Sequence, residues 1–421
     1  MKEKYTGIDL FSGAGGLTEG FIRHSFDFVA HVEMNEYATQ TLDTRIRYHK
    51  LCNNGKKDFY YRYFSGEITR EDFIAGSQDY FPEGTGIYHC EISPETESDL
   101  INSIKKRLDS TGKESVDVII GGPPCQAYSL AGRGRSKDGM VNDPRNLLYL
   151  YYLKAIETFK PKIFVFENVP GIISSLNGKV FEDFNEKIGK LGYCGDPNAR
   201  ILNAADFGVL QNRKRIIYIG WKKELDFEYP DFQQNKSEYN TGDLFNDLPP
   251  LYPGEGSNDP QKYLTKRSSG YLKEKGLRTD EPVVRNHIAR NHNERDREIY
   301  RKVISKWESG RERLHYDELP EELKTHKKRK VFTDRFKVID KEGLSHAVLA
   351  HLAKDGHYFI YPDIKYARSI TVREAARIQS FPDNYLFEGP RTAQYVQIGN
   401  AVPPLMASGI AKEIEKGLNR N

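Results

Sequence analysis

The sequence lacks the features that define secreted, membrane and zinc-binding proteins. It has 4 cysteines in 421 residues, Cys52, Cys90, Cys125 and Cys194, and no two of them form a C-x-x-C pair. This spacing argues against a disulfide scaffold or a structural zinc site and is typical of a reducing compartment. No apolar run approaches the roughly 20 residues that a membrane-spanning helix needs. The charged N-terminus does not resemble a signal peptide. We therefore expect a cytoplasmic protein with no membrane partner and no metal ion.

The chain has little net charge overall, but its basic and acidic residues are unevenly distributed. The net charge is +3, and residues 261–340 hold 22 Lys and Arg against 14 Asp and Glu. A basic segment on a mildly acidic chain is expected of a surface that binds a polyanion. A solvated surface of mixed charge has the same composition, and the run Lys327–Lys330 is open to both interpretations. Near-neutral charge and the lack of heptad repeats favour a monomer.

Short apolar runs alternate with helical patterns through the first 220 residues. Runs such as "YTGIDLF", "FDFVAHVE", "VDVII", "KIFVFE" and "KRIIYIG" indicate buried strands. This alternation predicts an α/β fold with a doubly wound parallel sheet, which binds ligands at the carboxyl ends of its strands. Residues 50–86 interrupt the pattern and indicate an insertion whose aromatic residues form a small core of their own. From Trp221 to about Lys365 the composition is charged and rich in Pro and Gly, which predicts a second, less regular unit.

A glycine-rich turn follows the first strand, in "IDLFSGAGGLTEGF". Gly13, Gly15 and Gly16 let the backbone approach a ligand at the N-terminus of the next helix. Glu33 ends the next strand, where a carboxylate can accept hydrogen bonds from ribose hydroxyls. The spacing differs from the G-x-G-x-x-G of dinucleotide sites, so a nicotinamide cofactor is disfavoured. The pattern favours a nucleoside-containing cofactor, with a purely structural turn as the alternative.

The stretch "VDVIIGGPPCQAYSL" holds Cys125 on a stiff turn after a strand. Proline fixes its own φ and extends the residue before it, so this cysteine is positioned as a nucleophile would be. Glu167 ends the strand in "FENVPG". A carboxylate raises the pKa of a neighbouring thiol, so Glu167 is poorly suited to activating Cys125. It is better suited to donating a proton or a hydrogen bond to the substrate. In "QNRKRIIYIG", Arg213 and Arg215 are alternate residues, and we expect both side chains to point into the same cleft. Ordinary surface ion pairs are the alternative for each residue alone.

Six blocks of the sequence together resemble a known family. "DLFSGAGG", "GGPPCQAYS", "ENV", "QNRKR", "REAARIQSFP" and "QIGNAVPP" are similar to the ordered motifs of the cytosine-C5 DNA methyltransferases. The resemblance covers most of residues 5–220 and 366–410, but not 221–330. It implies a Rossmann-like S-adenosylmethionine-dependent methyltransferase domain over residues 1–220, completed by a C-terminal helix in 392–421 that folds back. Residues 221–391 would form a smaller, irregular target-recognition domain.

The resemblance also implies a reaction. Cys125 would add to C6 of a cytosine flipped out of double-stranded DNA, so that C5 can accept the methyl group of S-adenosylmethionine. Glu167 would hydrogen-bond to or protonate N3 of the base. Arg213 or Arg215 would hold the base carbonyl.

Binding residues follow from the same resemblance. The cofactor would contact Phe11, Gly13, Ala14, Gly15, Glu33, Met34, Glu91, Ile92, Pro123, Leu148, Asn400 and Val402. Position 91 holds Glu where the family usually has Asp, which makes that assignment less secure. Gln126, Arg133 and Arg135 would contact DNA, the two arginines from a mobile loop, "LAGRGRSKDGMVNDPRN", that closes over the duplex.

The expected role is the modification enzyme of a restriction–modification system, whose cognate endonuclease would act independently. A tRNA methyltransferase of the same family is one alternative, but its Cys-Phe-Thr signature is missing because no cysteine follows Cys194. A non-catalytic relative is another, and it would be expected to lack Cys125 or Glu167. A nicotinamide oxidoreductase would leave "PPCQ", "ENV" and "QNRKR" unexplained.

Overall fold

The computed structural model of the chain describes residues 4–124, 148–173, 179–196, 200–279, 281–324 and 334–420. Its strands are β1 Tyr5–Leu10, β2 Phe26–Glu33, β3 Ile87–His89, β4 Val118–Gly121, β5 Ile163–Asn168, β6 Tyr193–Gly195, β7 Ile201–Asn203, β8 Gln211–Asn212, β9 Lys214–Lys222 and β10 Ser345–His346. Its helices are α1 Gly16–Ile22, α2 Glu36–Asn53, α3 Lys57–Phe64, α4 Arg70–Ser77, α5 Glu97–Ser110, α6 Leu148–Phe159, α7 Lys179–Lys190, α8 Gly270–Glu274, α9 Glu294–Gly310, α10 Val372–Ile378, α11 Arg391–Asn400 and α12 Pro404–Leu418. Short 3₁₀ turns connect several of them.

A central eight-stranded sheet organises the first half of the chain. Its order is β3-β2-β1-β4-β5-β9-β6, with β7 also pairing with β9. The first five strands of this order are parallel, which confirms the predicted α/β fold with a largely parallel sheet. Strand β9 runs antiparallel to β5, β6 and β7. The reversal places the start of β9 at the edge where the parallel strands end.

Apolar side chains cover both faces of this sheet. On one face, Ile119, Phe164 and Ile216 pack with side chains of α5, α6 and α7. On the other face, Ile120 and Val165 pack with side chains of α1 and α12. Helices on both faces account for the near-continuous apolar strands in the sequence, since neither face of the sheet meets water.

The helix α12 near the C-terminus packs against α1 at very short range. A Cβ atom on Gly16 would overlap the carbonyl of Val402, and one on Gly20 would overlap Ala407 and the amide of Ser408. Two glycines one helical turn apart therefore let the two backbones touch.

Residues 223–391 have little regular structure apart from α8, α9 and α10. One apolar cluster in this part contains Leu244, Leu272 and Ile378, and it also takes in Ala14 of the glycine-rich turn. A second cluster forms around α9 and includes Tyr300 and Val303. This part of the chain is irregular, and Ala14 shows that its core is continuous with the first half.

The aromatic residues of the 50–86 insertion lie in helices α3 and α4 and pack with the end of α2. Tyr60, Phe64 and Phe73 are buried there together with Leu386 from the far end of the chain. The hydroxyl of Tyr60 donates to the carbonyl of Asn384 at 2.5 Å. The expectation that these aromatic residues form a small core is confirmed, and Leu386 adds to that core from the second half of the chain.

Replacing Gly20 with Ala should destabilise the fold. The added methyl group must displace the backbone of α12, and overpacking of this kind costs about 1–3 kcal/mol. That cost exceeds the helix-propensity gain of Gly→Ala, about 1 kcal/mol at most. The free energy of unfolding by urea measures the effect.

Gly189→Ala is the matched control, because a Cβ atom there meets nothing within 4 Å. This variant should be as stable as the parent or more stable. An equal effect of both substitutions would show that α1 and α12 are not in close contact in solution.

Candidate active site

The glycine-rich turn adopts a backbone shape that few residues tolerate. Phe11, Gly13 and Gly15 all have positive φ, at 57°, 55° and 83°. Glycine adopts such angles readily, whereas Phe11 does so at an energetic cost. The amide of Gly15 donates to the carbonyl of Ser12 at 2.9 Å, which closes the turn immediately before α1. The turn lies at the carboxyl end of β1, where a doubly wound fold binds its ligands.

Glu33 connects this turn to the end of β2. One carboxylate oxygen accepts from the amide of Gly13 at 2.8 Å, and the other accepts from the amide of Asn35 at 2.7 Å. Burial raises the pKa of Glu33, and these amide hydrogen bonds act in the opposite direction. A carboxylate can accept about four hydrogen bonds, so each oxygen retains capacity for a ligand hydroxyl. The next residue, Met34, has 55% of its surface exposed.

Other residues expected to bind a cofactor lie around the same edge. Ile92 is buried in the cluster that Phe11 also contacts, whereas Glu91 is exposed. Pro123 follows β4, and its carbonyl accepts from the side-chain amide of Asn168 at 3.1 Å. Of the remaining residues in the expected set, Leu148 begins α6, Asn400 ends α11, and Val402 contacts Gly16 at the start of α1.

Glu167 and Arg215 form an ion pair across β5 and β9. The Nε atom of Arg215 lies 2.8 Å from a carboxylate oxygen of Glu167, and the two side chains are 10% and 12% exposed. Burial raises the pKa of Glu167, and the guanidinium groups of Arg215 and Arg213 lower it, leaving the pKa above its ordinary value. A carboxyl group whose pKa is raised by burial is suited to donating a proton or a hydrogen bond to a bound ligand.

The turn that leads to Cys125 touches this pair. A Cβ atom on Gly122 would overlap the second carboxylate oxygen of Glu167. Gly122 is three residues before Cys125 in the sequence. Cys125 itself lies outside the described residues, as do Gln126, Arg133 and Arg135.

Arg213 does not point into the cleft beside Arg215, which corrects the expectation from residue alternation. Its side chain is fully buried, and its guanidinium donates to the carbonyls of Val348, Gly399 and Ala401 at 2.6, 2.9 and 2.9 Å. The physical reason is a break in the strand. Because β8 ends at residue 212 and β9 begins at residue 214, alternation does not extend across residue 213.

Two further residues hold the site together, and neither was assigned a role from the sequence. Asn168 is buried and fixes the turn before Cys125 through its bond to Pro123. Gln211 is fully buried and accepts from the amide of Val348 at 2.7 Å while it donates to Gln379 at 2.8 Å. Both residues are inside the blocks "ENV" and "QNRKR", so the motifs contained the signal although the side chains were not singled out.

A buried network of ions fixes the segments around α10. Arg377 contacts Asp247 at 2.5 Å and Asp383 at 2.5 Å, and Arg368 forms a two-point contact with Glu374 at 2.7 and 2.8 Å. Burial raises the pKa of Asp383, but Arg377 outweighs it and holds that pKa below its ordinary value. Removing one partner would leave an uncompensated buried charge, which makes these segments resistant to rearrangement.

Basic side chains of helix α9, which lies in the segment 261–340, are neutralised by ion pairs with nearby acidic side chains. Arg301 and Lys306 contact Glu294 and Glu318, each at 2.7 Å. The run Lys327–Lys330 lies outside the described residues.

Among the helices that the structure describes, none is long and apolar enough to cross a membrane. Within the same residues, no group of three His, Cys, Asp or Glu side chains could hold a metal ion.

Asp9 and His31 are buried partners in adjacent strands beneath the glycine-rich turn. Asp9 accepts from the hydroxyl of Thr18 at 2.6 Å, and its other oxygen has no hydrogen-bond partner in the described part of the chain. Burial raises the pKa of Asp9 to about 8, which the nearby Glu33 reinforces and the Thr18 bond opposes. Burial lowers the pKa of His31 to about 3. Both side chains are therefore mainly neutral at pH 7.

The pKa of Asp9 predicts a stability that falls as pH rises. The unfolded carboxyl titrates near pH 4, while the folded carboxyl titrates at about 8. The folded state therefore binds the extra proton between these values, and stability is lost as pH rises through this window. Asp9→Asn imitates the protonated carboxyl, so its stability relative to the parent should grow from pH 5 to pH 8. Urea unfolding at each pH measures the difference, and a constant difference would show that Asp9 is ionised throughout.

Gly122→Ala should displace Glu167 without unfolding the protein. The methyl group would occupy the position of a carboxylate oxygen, and misplacing a reactive group by about 1 Å can lower a rate on the order of 100-fold. The steady-state rate of the reaction that the sequence resemblance implies measures kcat, with Gly189→Ala as the control for a neutral Gly→Ala change. A kcat equal to that of the parent would mean that Glu167 is not held by this turn.

Comparison with solved structures defines the class of fold. A chain described as a DNA modification methyltransferase encoded within a prophage (E. coli) has a TM-score of 0.67 and 23% identity, covering 99% of this chain and 100% of that chain. The Entamoeba histolytica methyltransferase EhMeth has a TM-score of 0.54 and 17% identity, covering 99% of each chain. At these identities the likeness shows that this chain shares their fold.

Sequence comparison identifies the family. The model of the C-5 cytosine-specific DNA methylase family matches residues 5–78 and 74–416. Type II methyltransferase M.Bpa9945I of Bacillus paralicheniformis is 44% identical, covering 98% of this chain and 99% of the relative. Type II methyltransferase M1.HphI of Haemophilus parahaemolyticus is 32% identical, covering 99% and 88%. The chain belongs to the C-5 cytosine-specific DNA methylases, which confirms the resemblance found in the sequence.

Proposed function

We propose that this chain methylates C5 of a cytosine in a short, specific double-stranded DNA sequence as the modification enzyme of a restriction–modification system. The observation that carries the proposal is the Glu167–Arg215 pair, with Gly122 of the Cys125 turn packed against it. A base placed there meets an acid, a cation and the turn that bears the thiol. The names of the type II relatives support the biological role. The family description specifies DNA, which disfavours the tRNA alternative.

The residues at the carboxyl ends of β1 and β2 fit S-adenosylmethionine. A Cβ atom on Gly13 would meet open space, so the turn leaves room for a ligand. Glu33 would accept the ribose hydroxyls, and the exposed Met34 offers an apolar surface for a ring. The rest of the proposed pocket is Phe11, Ala14, Gly15, Glu91, Ile92, Pro123, Leu148, Asn400 and Val402. When bound, this cofactor supplies an electrophilic methyl group.

Each step of the proposed reaction balances at a named atom. The thiolate of Cys125 forms a bond to C6, and the electron pair of the C5–C6 double bond makes C5 nucleophilic. Glu167 donates a hydrogen bond or a proton to N3, and Arg215 holds the base carbonyl, so the charge that develops on the ring is stabilised. After C5 is methylated, a general base removes the proton from C5. The C5–C6 double bond then re-forms, and the Cys125 thiolate leaves C6. The cytosine must leave the DNA stack to reach these groups.

The proposed organisation divides the chain between cofactor and DNA. Residues 1–220, completed by α12 and residues 392–421, would hold the cofactor and the catalytic groups. The packing of α12 on α1 supports this discontinuous domain. Residues 221–391 would read the DNA sequence, and Gln126, Arg133 and Arg135 would contact the duplex beside the flipped base. We further propose a cytoplasmic monomer whose cognate endonuclease acts independently.

Bisulfite sequencing tests the proposal directly. The protein is incubated with S-adenosylmethionine and unmethylated DNA of diverse sequence, and the product is sequenced after conversion. Protected cytosines should be confined to one short motif. Uniform conversion by a protein that binds the cofactor would contradict DNA methylation, and the assay on tRNA would then test the alternative.

Cys125→Ala should abolish protection in this assay, because C5 of cytosine is too weak a nucleophile without addition at C6. Cys194→Ala is the matched control, since Cys194 lies on β6 and is only partly buried. It should methylate as the parent does. Full activity of the Cys125→Ala variant would overturn the covalent mechanism.

A further inference from the structure

The three carbonyls that Arg213 binds belong to different parts of the proposed machinery. Gly399 and Ala401 flank Asn400, which is in the proposed cofactor pocket. Val348 belongs to the second half of the chain and is followed by Leu349, a residue with 40% of its surface exposed. One buried guanidinium therefore joins the wall of the cofactor pocket to a segment of the proposed recognition region.

The backbone of Arg213 is fixed to the end of β7, which pairs with β9. Its amide donates to the side chain of Asn203 at 2.9 Å, and its carbonyl accepts from the amide of Ala204 at 2.9 Å. Two residues later, Arg215 pairs with Glu167. A shift of either carbonyl segment is thus transmitted to the strand that positions the acid.

A second set of contacts runs beside the first. Gln211 joins the amide of Val348 to Gln379, and Gln379 donates to the carbonyls of Ile398 and Ala401 at 2.7 and 3.3 Å. A Cβ atom on Gly399 would overlap the amide of Ala350, so the two segments also touch directly. The segments around Val348 and Asn400 are therefore closely packed against each other. A buried donor that loses its carbonyl partner cannot bond to water instead, so separating the two segments is unfavourable.

We propose that Arg213 is a positioning residue that couples cofactor binding to DNA binding. This inference rests on the proposed function, because it takes Asn400 as part of the cofactor pocket and Val348–Leu349 as part of the DNA-binding half. Order imposed at Asn400 by the cofactor is transmitted through Arg213 to Val348 and Leu349. Linkage requires the reverse as well, so DNA strengthens cofactor binding by the same factor.

A thermodynamic cycle with S-adenosylhomocysteine tests the coupling without turnover. The Kd of this product is measured by calorimetry with and without a duplex carrying the methylated motif, and the Kd of the duplex with and without the product. The parent should show a coupling factor of roughly 10-fold, within the range typical of linked sites. Arg213→Lys cannot bind three carbonyls in a fixed fork, so its factor should fall to within about 2-fold of unity.

Arg290→Lys is the matched control. Arg290 also donates to backbone carbonyls, those of Leu352, Ala353 and Lys354, and its guanidinium lies 5.6 Å from the centre of the Tyr395 ring on α11. Among the described residues, its hydrogen bonds do not reach Gly399 or Ala401. This variant should keep the coupling of the parent. If Arg213→Lys does not fold, Gln379→Ala removes the parallel contact to Ala401 and should also lower the factor.

Different results would contradict the role of Arg213 and the proposed function of the protein. A parent without coupling, or a folded Arg213→Lys variant that keeps the coupling of the parent, overturns the role of Arg213; if that variant does not fold, coupling that survives in Gln379→Ala overturns it. Equal loss in Arg290→Lys overturns it too, because any loosening of the region would then suffice. A parent that binds neither S-adenosylhomocysteine nor DNA would instead refute the proposed function.

Discussion

The reversed direction of β9 is the constraint on which the site depends. Glu167 ends β5 at the carboxyl edge of the sheet, and Arg215 reaches it because an antiparallel strand begins at that edge. A parallel strand of the same nine residues would start at the opposite edge, about 30 Å away. The same reversal brings Gln211 and Arg213 to the edge where the glycine-rich turn and the Cys125 turn also lie. One change of strand direction therefore brings the cation to the edge where the acid and both turns lie.

Arginine replaces regular secondary structure as the source of order in the second half of the chain. Segments outside helices and sheets leave backbone carbonyls without amide partners, and buried carbonyls need donors. The planar guanidinium group supplies five donors in a fixed geometry. Arg373 is fully buried and donates to the carbonyls of Arg285, Pro382 and Tyr385, while Arg368 donates to those of Leu251 and Ser369. Arg213 follows the same principle at the joint with the sheet.

Residue patterns predicted the parts of the fold that local physics determines. Apolar runs located β1, β2, β4, β5 and β9, and the glycine-rich turn and Glu167 lie at the edge where the doubly wound pattern placed them. The three-residue strands β3, β6 and β7 carry too few side chains to show a period. The orientation of Arg213 depends on a strand break, and the partner of the 50–86 helices is Leu386, more than 300 positions away. Such long-range contacts have no local signal.

The net charge of residues 261–340 does not describe the electrostatic field of this segment, because many of its cations are paired with acidic side chains. The excess of basic residues in 261–340 suggests attraction to DNA, but the cations of α9 pair with Glu294 and Glu318. A paired surface cation contributes little field, because its partner cancels it within a few ångströms. Lys262, Lys266 and Arg267 are exposed and have no acidic partner in the residues that the structure describes. Long-range attraction to a polyanion therefore depends on unpaired cations such as these rather than on the net charge of the segment.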